Sequence, residues 1–299
     1  MISKFRIGVL VIILNFFASV AMIWGQDNPS LLQMAVPSLN IAPDARGGGM
    51  GDMGAATLPD INSQYWNAAK YAFMGSKAGV SLSYTPWLRK LVNDVALVNM
   101  TGYYKLGNSD LQAISASLRY FSLGEVNIWE NIGDVPYGLN PYEMAFDVAY
   151  SRKLSESYSM AVTLRYIRSD MGTDQNDESN AGNAFSADIS GYLEKYVLMG
   201  NAEALWSFGF NLSNIGSKIS YDGGNTNQYL PAKLTLGTGL LYPIDDYNQI
   251  GVYLDLNKYM VPYAPQKEEG ETDADYQTRV DDYKSWSSLS LSLIHISEP

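Results

Sequence analysis

The feature that most constrains the fold is a repeated unit, which begins near residue 79. Each unit is a strand-length segment of alternating apolar and polar residues, followed by a connection that is alternately long and short. Nine segments can be recognised, at residues 79–85, 94–105, 110–123, 143–154, 158–169, 183–196, 203–214, 231–243 and 248–259. Outer-membrane barrels have this pattern, because short turns join strands on the periplasmic side and longer loops join them outside. The sequence therefore predicts an all-β fold, a transmembrane antiparallel β-barrel.

The two faces of the predicted strands differ in chemistry. In the fourth segment, Met144, Phe146 and Val148 alternate with small or polar residues, one of which is Asp147. The polar face of other segments also carries ionisable side chains, such as Arg165. Burying unpaired charges in apolar surroundings is costly. We therefore expect the apolar face to contact lipid and the polar face to line a wet or plugged lumen.

The first 26 residues have the layout of a secretory signal peptide. Lys4 and Arg6 precede an apolar run at residues 7–24, which gives way abruptly to polar residues. A membrane anchor is the alternative, but no cluster of charges follows the run. The whole chain has a net charge of −11, and residues 1–26 contain two basic residues and no acidic one. Their removal would therefore leave a net charge of about −13. Nucleic acid is therefore not expected as a partner, and the absence of cysteine excludes thiol chemistry.

The last nine residues, 291–299, resemble a translated sequencing adapter and not a native segment. The alternative is a genuine final strand. The artefact interpretation would also remove His295, the only histidine, from the native protein. On this interpretation residues 79–290 form an incomplete barrel that stops after its fifth outer loop.

Residues 27–78 lie between the signal peptide and the first strand, and we predict that they form a periplasmic plug or hatch segment. Residues 49–54 match the G-x-G-x-x-G string of dinucleotide-binding folds. That motif needs a strand before it and a crossover helix after it, but Pro43 precedes it closely and Pro59 would end a helix that began there. No cofactor is predicted. Residues 64–71 are expected to form a short helical turn. The candidate plug residues are Asp44, Arg46, Gly49, Gly51, Gly54, Trp66 and Asn67, of which Asp44 and Arg46 are expected to pair with charges on the lumen wall.

The long connections, residues 123–142, 170–182, 215–230 and 260–286, are predicted to lie at the cell surface. The last is strongly acidic, which is consistent either with a solvated loop or with a binding surface. The candidate partner contacts in surface loops are Trp87, Trp129, Tyr137, Glu268 and Glu269. No spacing of acidic residues matches a metal site, so none is predicted.

Several stretches resemble a known family. They are residues 41–46, 63–73, 79–94, 117–125, 149–155 and 165–170, and the stretch YTPWLRKLVND is the most specific. On these residues the chain resembles the PorV family, FadL-like outer-membrane barrels of the Bacteroidota type IX secretion system. Ala68 departs from the FadL-like pattern, in which proline often follows the asparagine.

The resemblance implies a barrel of fourteen strands with an amino-terminal hatch, of which about nine or ten strands would be present here. It also implies the partners: outer-membrane lipid, the type IX translocon, the C-terminal domains of cargo, and a cell-surface sortase or attachment complex. The function implied is non-enzymatic cargo delivery.

Two other functions remain open on the sequence. One is a FadL-like channel for hydrophobic small molecules, for which fold alone is weak support. The other is a lipid A deacylase, which would need an activated nucleophile and a positioned base. Asp147, Asp188 and Glu194 lie on predicted strands, but their spacing singles out no pair. No catalytic residue is therefore predicted.

Overall fold

The computed structural model describes residues 32–87, 89–90, 94–107, 110–129, 135–172, 181–222, 227–267 and 270–285. The predicted signal peptide, residues 1–26, lies outside this part of the chain. So do the predicted artefact at residues 291–299 and the candidate contacts Glu268 and Glu269.

One antiparallel sheet of nine strands dominates the described residues. Its strands are β1 (Ala78–Pro86), β2 (Val95–Leu106), β3 (Gln112–Leu123), β6 (Tyr142–Lys153), β7 (Tyr158–Asp170), β8 (Gly182–Met199), β9 (Ala202–Gly216), β10 (Lys233–Pro243) and β11 (Gln249–Tyr259). Each pairs with its neighbours in the order β1-β2-β3-β6-β7-β8-β9-β10-β11. All nine predicted strands are confirmed, and each begins and ends within three residues of its predicted bounds.

The sheet is an open meander across the described residues, since β1 and β11 are its two edges. Tight connections link β2 to β3, β6 to β7, β8 to β9 and β10 to β11, while the other connections are longer. The alternation of long and short connections is therefore confirmed. A closed barrel and a total of fourteen strands stay predictions.

Burial alternates along β1, β2, β3, β6 and β7 with the period of two that a pleated sheet imposes. On β6, Phe146 is 46% exposed, whereas its neighbour Asp147 is 6% exposed. The exposed face of the sheet is apolar and the covered face is mainly small or polar, as the sequence predicts, although a few large side chains such as Tyr103 and Tyr192 are also buried there. We call these the outer face and the inner face.

Short helices form the amino-terminal segment on the inner face. They are a 3-10 helix at Pro37–Asn40, α1 at Ala45–Gly49, α2 at Ser63–Trp66 and a second 3-10 helix at Ala68–Phe73. The last two confirm the helical turn predicted at residues 64–71. No helix in the described ranges is long and apolar enough to cross a membrane.

Two elements of the long connections were not predicted. A small hairpin pairs β4 (Val126–Ile128) with β5 (Tyr137–Leu139). The acidic connection after β11 contains α3 (Asp273–Ser285), which has no buried residue. Asp273 and Asp275 in its first turn favour the helix, because negative charge is stabilising near a helix amino terminus.

Candidate functional site: the amino-terminal segment on the inner face

The described part of the amino-terminal segment, residues 32–77, is held by inner-face side chains that bind its main chain. Nine side chains do so: Ser83, Tyr103, Lys105, Arg119, Glu143, Ser159, Ser207, Asn211 and Asp255. These nine residues belong to seven different strands, from β1 at one edge to β11 at the other. The sheet therefore wraps around the segment and fixes the course of its backbone.

The closest approach of segment and sheet lies over two glycines. Gly209 and Gly237 are direct partners across β9 and β10, and Asp255 lies opposite Gly237 on β11. A Cβ on Gly209 would lie 1.9 Å from the carbonyl oxygen of Ala55, so no larger residue fits there. The Asp255 carboxylate accepts hydrogen bonds from the main-chain nitrogens of Gly54 (2.8 Å) and Ala55 (2.9 Å). Small residues and one carboxylate thus form a seat for this part of the backbone.

Trp66 is the centre of the segment's own packing. Its indole Nε1 donates to Asp44 Oδ2 at 2.8 Å, while Asp44 Oδ1 accepts from the main-chain nitrogen of Gly47 at 2.8 Å. Asp44 is therefore the N-cap of α1 and also fixes the tryptophan. A Cβ on Gly47 or on Gly54 would lie 2.3 Å from the Trp66 side chain. The ring can lie on the glycine run only because those two positions lack a side chain.

The three predicted glycines have different roles. Gly54 is required by packing, and Gly51 has a φ of +77°, a conformation that glycine adopts without strain. Gly49 has open space around its Cβ position and no positive φ, so neither reason applies to it. Gly47, which packs on Trp66, was not singled out from the sequence.

The expectation that Asp44 and Arg46 pair with charges on the wall is wrong. Arg46 forms an ion pair with Asp60, inside the segment, and also donates to the carbonyl of Leu58 at 3.3 Å. Asp44 binds Gly47 and Trp66, as described above. Both charged residues therefore bind partners within the segment. The wall binds the segment's main chain with charged groups of its own, such as Asp255.

Asn67 connects three parts of the structure although it is fully buried. Its Nδ2 donates to the carbonyls of Ala55 and of Gly191 on β8, both at 2.9 Å. Its Oδ1 accepts from the main-chain nitrogen of Ala69 at 3.1 Å and so caps the second 3-10 helix. Ala68 is the first residue of that helix, a position at which proline is also well tolerated.

Lys70 is a fully buried lysine that the sequence reasoning missed. Its Nζ donates to the Gly54 carbonyl at 2.8 Å and to Thr57 Oγ1 at 3.1 Å. Burial lowers the pKa of its ammonium from 10.5 to about 8. The adjacent Tyr71 is stacked on Tyr103 of β2, and burial raises the pKa of its hydroxyl. Alternation offered no signal for Lys70, because this residue lies in a 3-10 helix and its partners are 16 and 13 residues earlier in the irregular part of the segment.

A buried ion cluster crosses the inner face from β6 to β9. Arg165 donates to Asp147 Oδ1 at 2.7 Å and to Asp188 Oδ2 at 2.8 Å. Asp188 Oδ1 accepts from the main-chain nitrogen of Asn214 at 2.7 Å, next to an irregularity in the β8–β9 pairing. Two of the three carboxylates that the deacylase hypothesis considered, Asp147 and Asp188, are therefore engaged by a guanidinium, while the third, Glu194, accepts a hydrogen bond from the Tyr192 hydroxyl at 3.3 Å. This geometry favours a structural role for them.

A small polar cavity lies between the segment and the sheet, with a volume of about 40 Å³. Its lining includes four buried polar atoms without a hydrogen-bond partner among the described residues: Asn62 Oδ1, Gln64 Nε2, Asn211 Oδ1 and Asp255 Oδ1. This volume suits about three water molecules, which could satisfy such atoms. The lining is polar, unlike the continuous apolar lining that the channel hypothesis would require.

Three of the candidate surface residues, Trp87, Trp129 and Tyr137, are described, and they lie at the end of the sheet that carries the long connections. Trp87 directly follows β1 and is 40% exposed, and Trp129 directly follows β4 and is 58% exposed. Tyr137 begins β5, where its backbone pairs with Ile128. One hairpin therefore brings Trp129 and Tyr137 into the same loop, whereas Trp87 belongs to another connection.

Comparison with known proteins identifies the family to which the chain belongs. No curated protein matches the chain. A family model described as the type IX secretion system protein PorV matches residues 25–267. The matched region contains the amino-terminal segment and all nine strands of the sheet. The chain belongs to the PorV family of type IX secretion system proteins.

Proposed function

We propose that this chain is a non-enzymatic outer-membrane component of the type IX secretion system. It binds the translocon and the C-terminal domains of exported cargo, and it delivers the cargo to the cell-surface sortase and attachment machinery. Membership of the PorV family supports a role in this system. The observation that carries the proposed mechanism is the occupied inner face, which leaves the loop end and the outer face as surfaces for partners.

The location in this proposal follows from the chemistry of the two faces. Large apolar side chains cover the outer face, among them Leu82 (72% exposed) and Leu164 (66% exposed). Such a surface is favourable in hydrocarbon and costly in water. In the proposed orientation the sheet spans the outer membrane, the amino-terminal segment acts as a plug, the amino terminus is periplasmic and the long connections lie at the cell surface.

The loop end has the composition of a partner-binding surface. Trp87, Trp129 and Val135 are exposed there, and Val135 is 90% exposed. Aromatic residues are enriched where proteins bind one another, and an exposed tryptophan is a frequent centre of such contacts. The hairpin β4–β5 is therefore the proposed place of first contact with cargo.

Affinity purification of a tagged full-length chain from a cell with an intact type IX system tests this proposal. Mass spectrometry is expected to detect both the translocon and cargo that carries the C-terminal domain. Trp129→Ser should reduce cargo recovery severalfold, while Val135→Ser, a control in the same loop at a more exposed residue, should reduce it less. Recovery of neither translocon nor cargo with the unmodified chain would contradict the proposal.

A further inference from the structure

A second cavity opens at the end of the molecule that carries the long connections. It has a volume of about 460 Å³ and lies between residues 34–37, the start of β6, the end of β7 and the loop that carries Tyr221. Its walls are largely apolar, with Met34, Pro37, Leu123 and Met171. This cavity is separate from the small polar cavity beneath the segment, whose lining residues are different.

One lining residue is a buried carboxylate that is only half satisfied. Glu143 is 1% exposed, and its Oε2 accepts one hydrogen bond from the main-chain nitrogen of Ser38 at 3.0 Å. Its Oε1 is buried without a hydrogen-bond partner among the described residues. A carboxylate oxygen removed from water without a partner is costly. The site therefore lacks a hydrogen-bond donor for this oxygen.

The charges around Glu143 favour a cationic donor. Asp170, a second carboxylate, lines the same cavity, and no lysine or arginine lines it among the described residues. Arg168 lies 3.8 Å from Asp170, at the edge of ion-pair distance. Arg119 is committed to the carbonyls of Ser38 (2.7 Å) and Ile41 (3.1 Å). Glu143 and Asp170 thus lie among apolar walls with little compensating positive charge within the cavity.

We infer that this cavity binds a protonated primary amine on an apolar stem, with the ammonium at Glu143. The apolar walls suit the methylene chain of a lysine, and the carboxylate suits its head. The ligand we assign is a lysine side chain of an extended peptide that reaches the long-loop end. The assignment of that peptide to cargo rests on the proposed function, whereas the binding chemistry does not.

The test uses the full chain in detergent micelles and two peptides, acetyl-Leu-Lys-Leu-amide and its norleucine analogue, measured by calorimetry. We expect the lysine peptide to bind at least tenfold more tightly than the norleucine peptide. Glu143→Gln keeps an acceptor for the Ser38 nitrogen and removes the charge, so it should weaken lysine-peptide binding at least tenfold. Glu194→Gln, a carboxylate near the β8–β9 turn, is the matched control and should leave binding unchanged.

A competition experiment needs no variant and covers the case in which Glu143→Gln does not fold. n-Butylammonium should displace the lysine peptide from the unmodified chain, and n-butanol at the same concentration should not. Equal affinity for the two peptides, or displacement by the alcohol, would overturn the inference. Butylammonium that binds as tightly as the lysine peptide would overturn the assignment to a peptide. Lysine-peptide binding without recovery of cargo would count against the proposed function alone.

Discussion

The inner face of the sheet is polar and covered, whereas the outer face is apolar and exposed, which is the reverse of the distribution in a soluble protein. On β7, Leu164 is 66% exposed while its neighbours Thr163 and Arg165 are 2% and 6% exposed. A soluble sheet covers its apolar face and exposes its polar one. Here polar and charged side chains are covered by the amino-terminal segment, and the apolar side chains are left uncovered by the parts of the chain that the structure describes. The contrast indicates two different environments on the two faces, a polar packed interior and a hydrocarbon exterior.

The two faces also differ in how they are stabilised. The inner face relies on directed contacts, such as Arg165 with its two carboxylates and Asp255 with two main-chain nitrogens. The outer face needs only apolar surface of any shape. Substitutions should therefore act through lost partners on the inner face and through polarity on the outer face. The predictions below test this difference, from the largest expected effect to the smallest.

The largest effect is expected from Arg165→Met on the inner face. This substitution leaves Asp147 and Asp188 buried without their counter-charge, which should cost about 3–5 kcal/mol of unfolding free energy. Urea unfolding in phospholipid vesicles measures it. The control is Arg168→Met on the same strand, a residue with a partly exposed side chain, which should cost under about 1 kcal/mol. Equal effects of the two substitutions would show that the buried cluster has no special role.

A charge on the outer face should act through the membrane. Leu164→Arg is expected to lower the unfolding free energy by about 2–4 kcal/mol if the residue lies near the bilayer midplane. The same vesicle assay applies, with Val135→Arg on the exposed loop as the neutral control. A neutral result for Leu164→Arg would mean that the outer face contacts water.

Lys70 should give the segment a stability that rises with pH. Its pKa of about 8 is below the ordinary 10.5, so between these two values the unfolded state binds more protons than the folded one. Stability therefore rises through this window, by about 3 kcal/mol in total, and is lowest below pH 8. The rise should be missing in Lys70→Met and retained in Lys77→Met, whose lysine is exposed. Tyrosines also ionise in this pH range, so the contribution of Lys70 is taken as the difference in stability between the unmodified chain and Lys70→Met at each pH. If Lys70→Met kept the same dependence of stability on pH, the rise could not be assigned to Lys70.

A pair of glycines provides the smallest test. Gly54→Ala places a methyl group 2.3 Å from the Trp66 side chain and should destabilise the protein by about 1–3 kcal/mol. Gly49→Ala enters open space in α1 and should be neutral or slightly stabilising. Tryptophan fluorescence during unfolding measures both. If Gly49→Ala were the more damaging substitution, the packing of Trp66 would have to differ from that described.

Much of the sheet could be predicted because its information is local. Alternation along 143–154 identifies a strand and also its buried face, and the length of each connection indicates which end it lies on. The segment around Trp66 and Asn67 could be marked as packed, since glycines and aromatic residues occur together there. Its contacts could not be predicted, because Asp255 and Gly209 meet Ala55 across roughly 150 to 200 positions of sequence.

The unpredicted elements lack a periodic signal. Strands β4 and β5 have three residues each, which is too short for alternation to be recognised. Helix α3 is polar on all sides, so it has no apolar stripe with a period of 3.6. It is supported by local contacts, such as Thr278 Oγ1 donating to the Ala274 carbonyl and Arg279 pairing with Glu271. The expected wall partners of Asp44 and Arg46 were wrong because nearer partners in the segment were available.

The most direct measurement is the quenching of a single fluorophore, attached either to the outer face of the sheet or to an exposed loop. The chain has no cysteine, so Val162→Cys and Leu164→Cys on the outer face and Val135→Cys on the loop can each be labelled alone with a nitrobenzoxadiazole dye in vesicles. Lipids with a spin label in the acyl chain should quench the dye at both outer-face positions, and aqueous iodide should quench it only at Val135→Cys. Strong iodide quenching and no lipid quenching at Leu164→Cys would contradict the claim that the apolar outer face lies in the membrane.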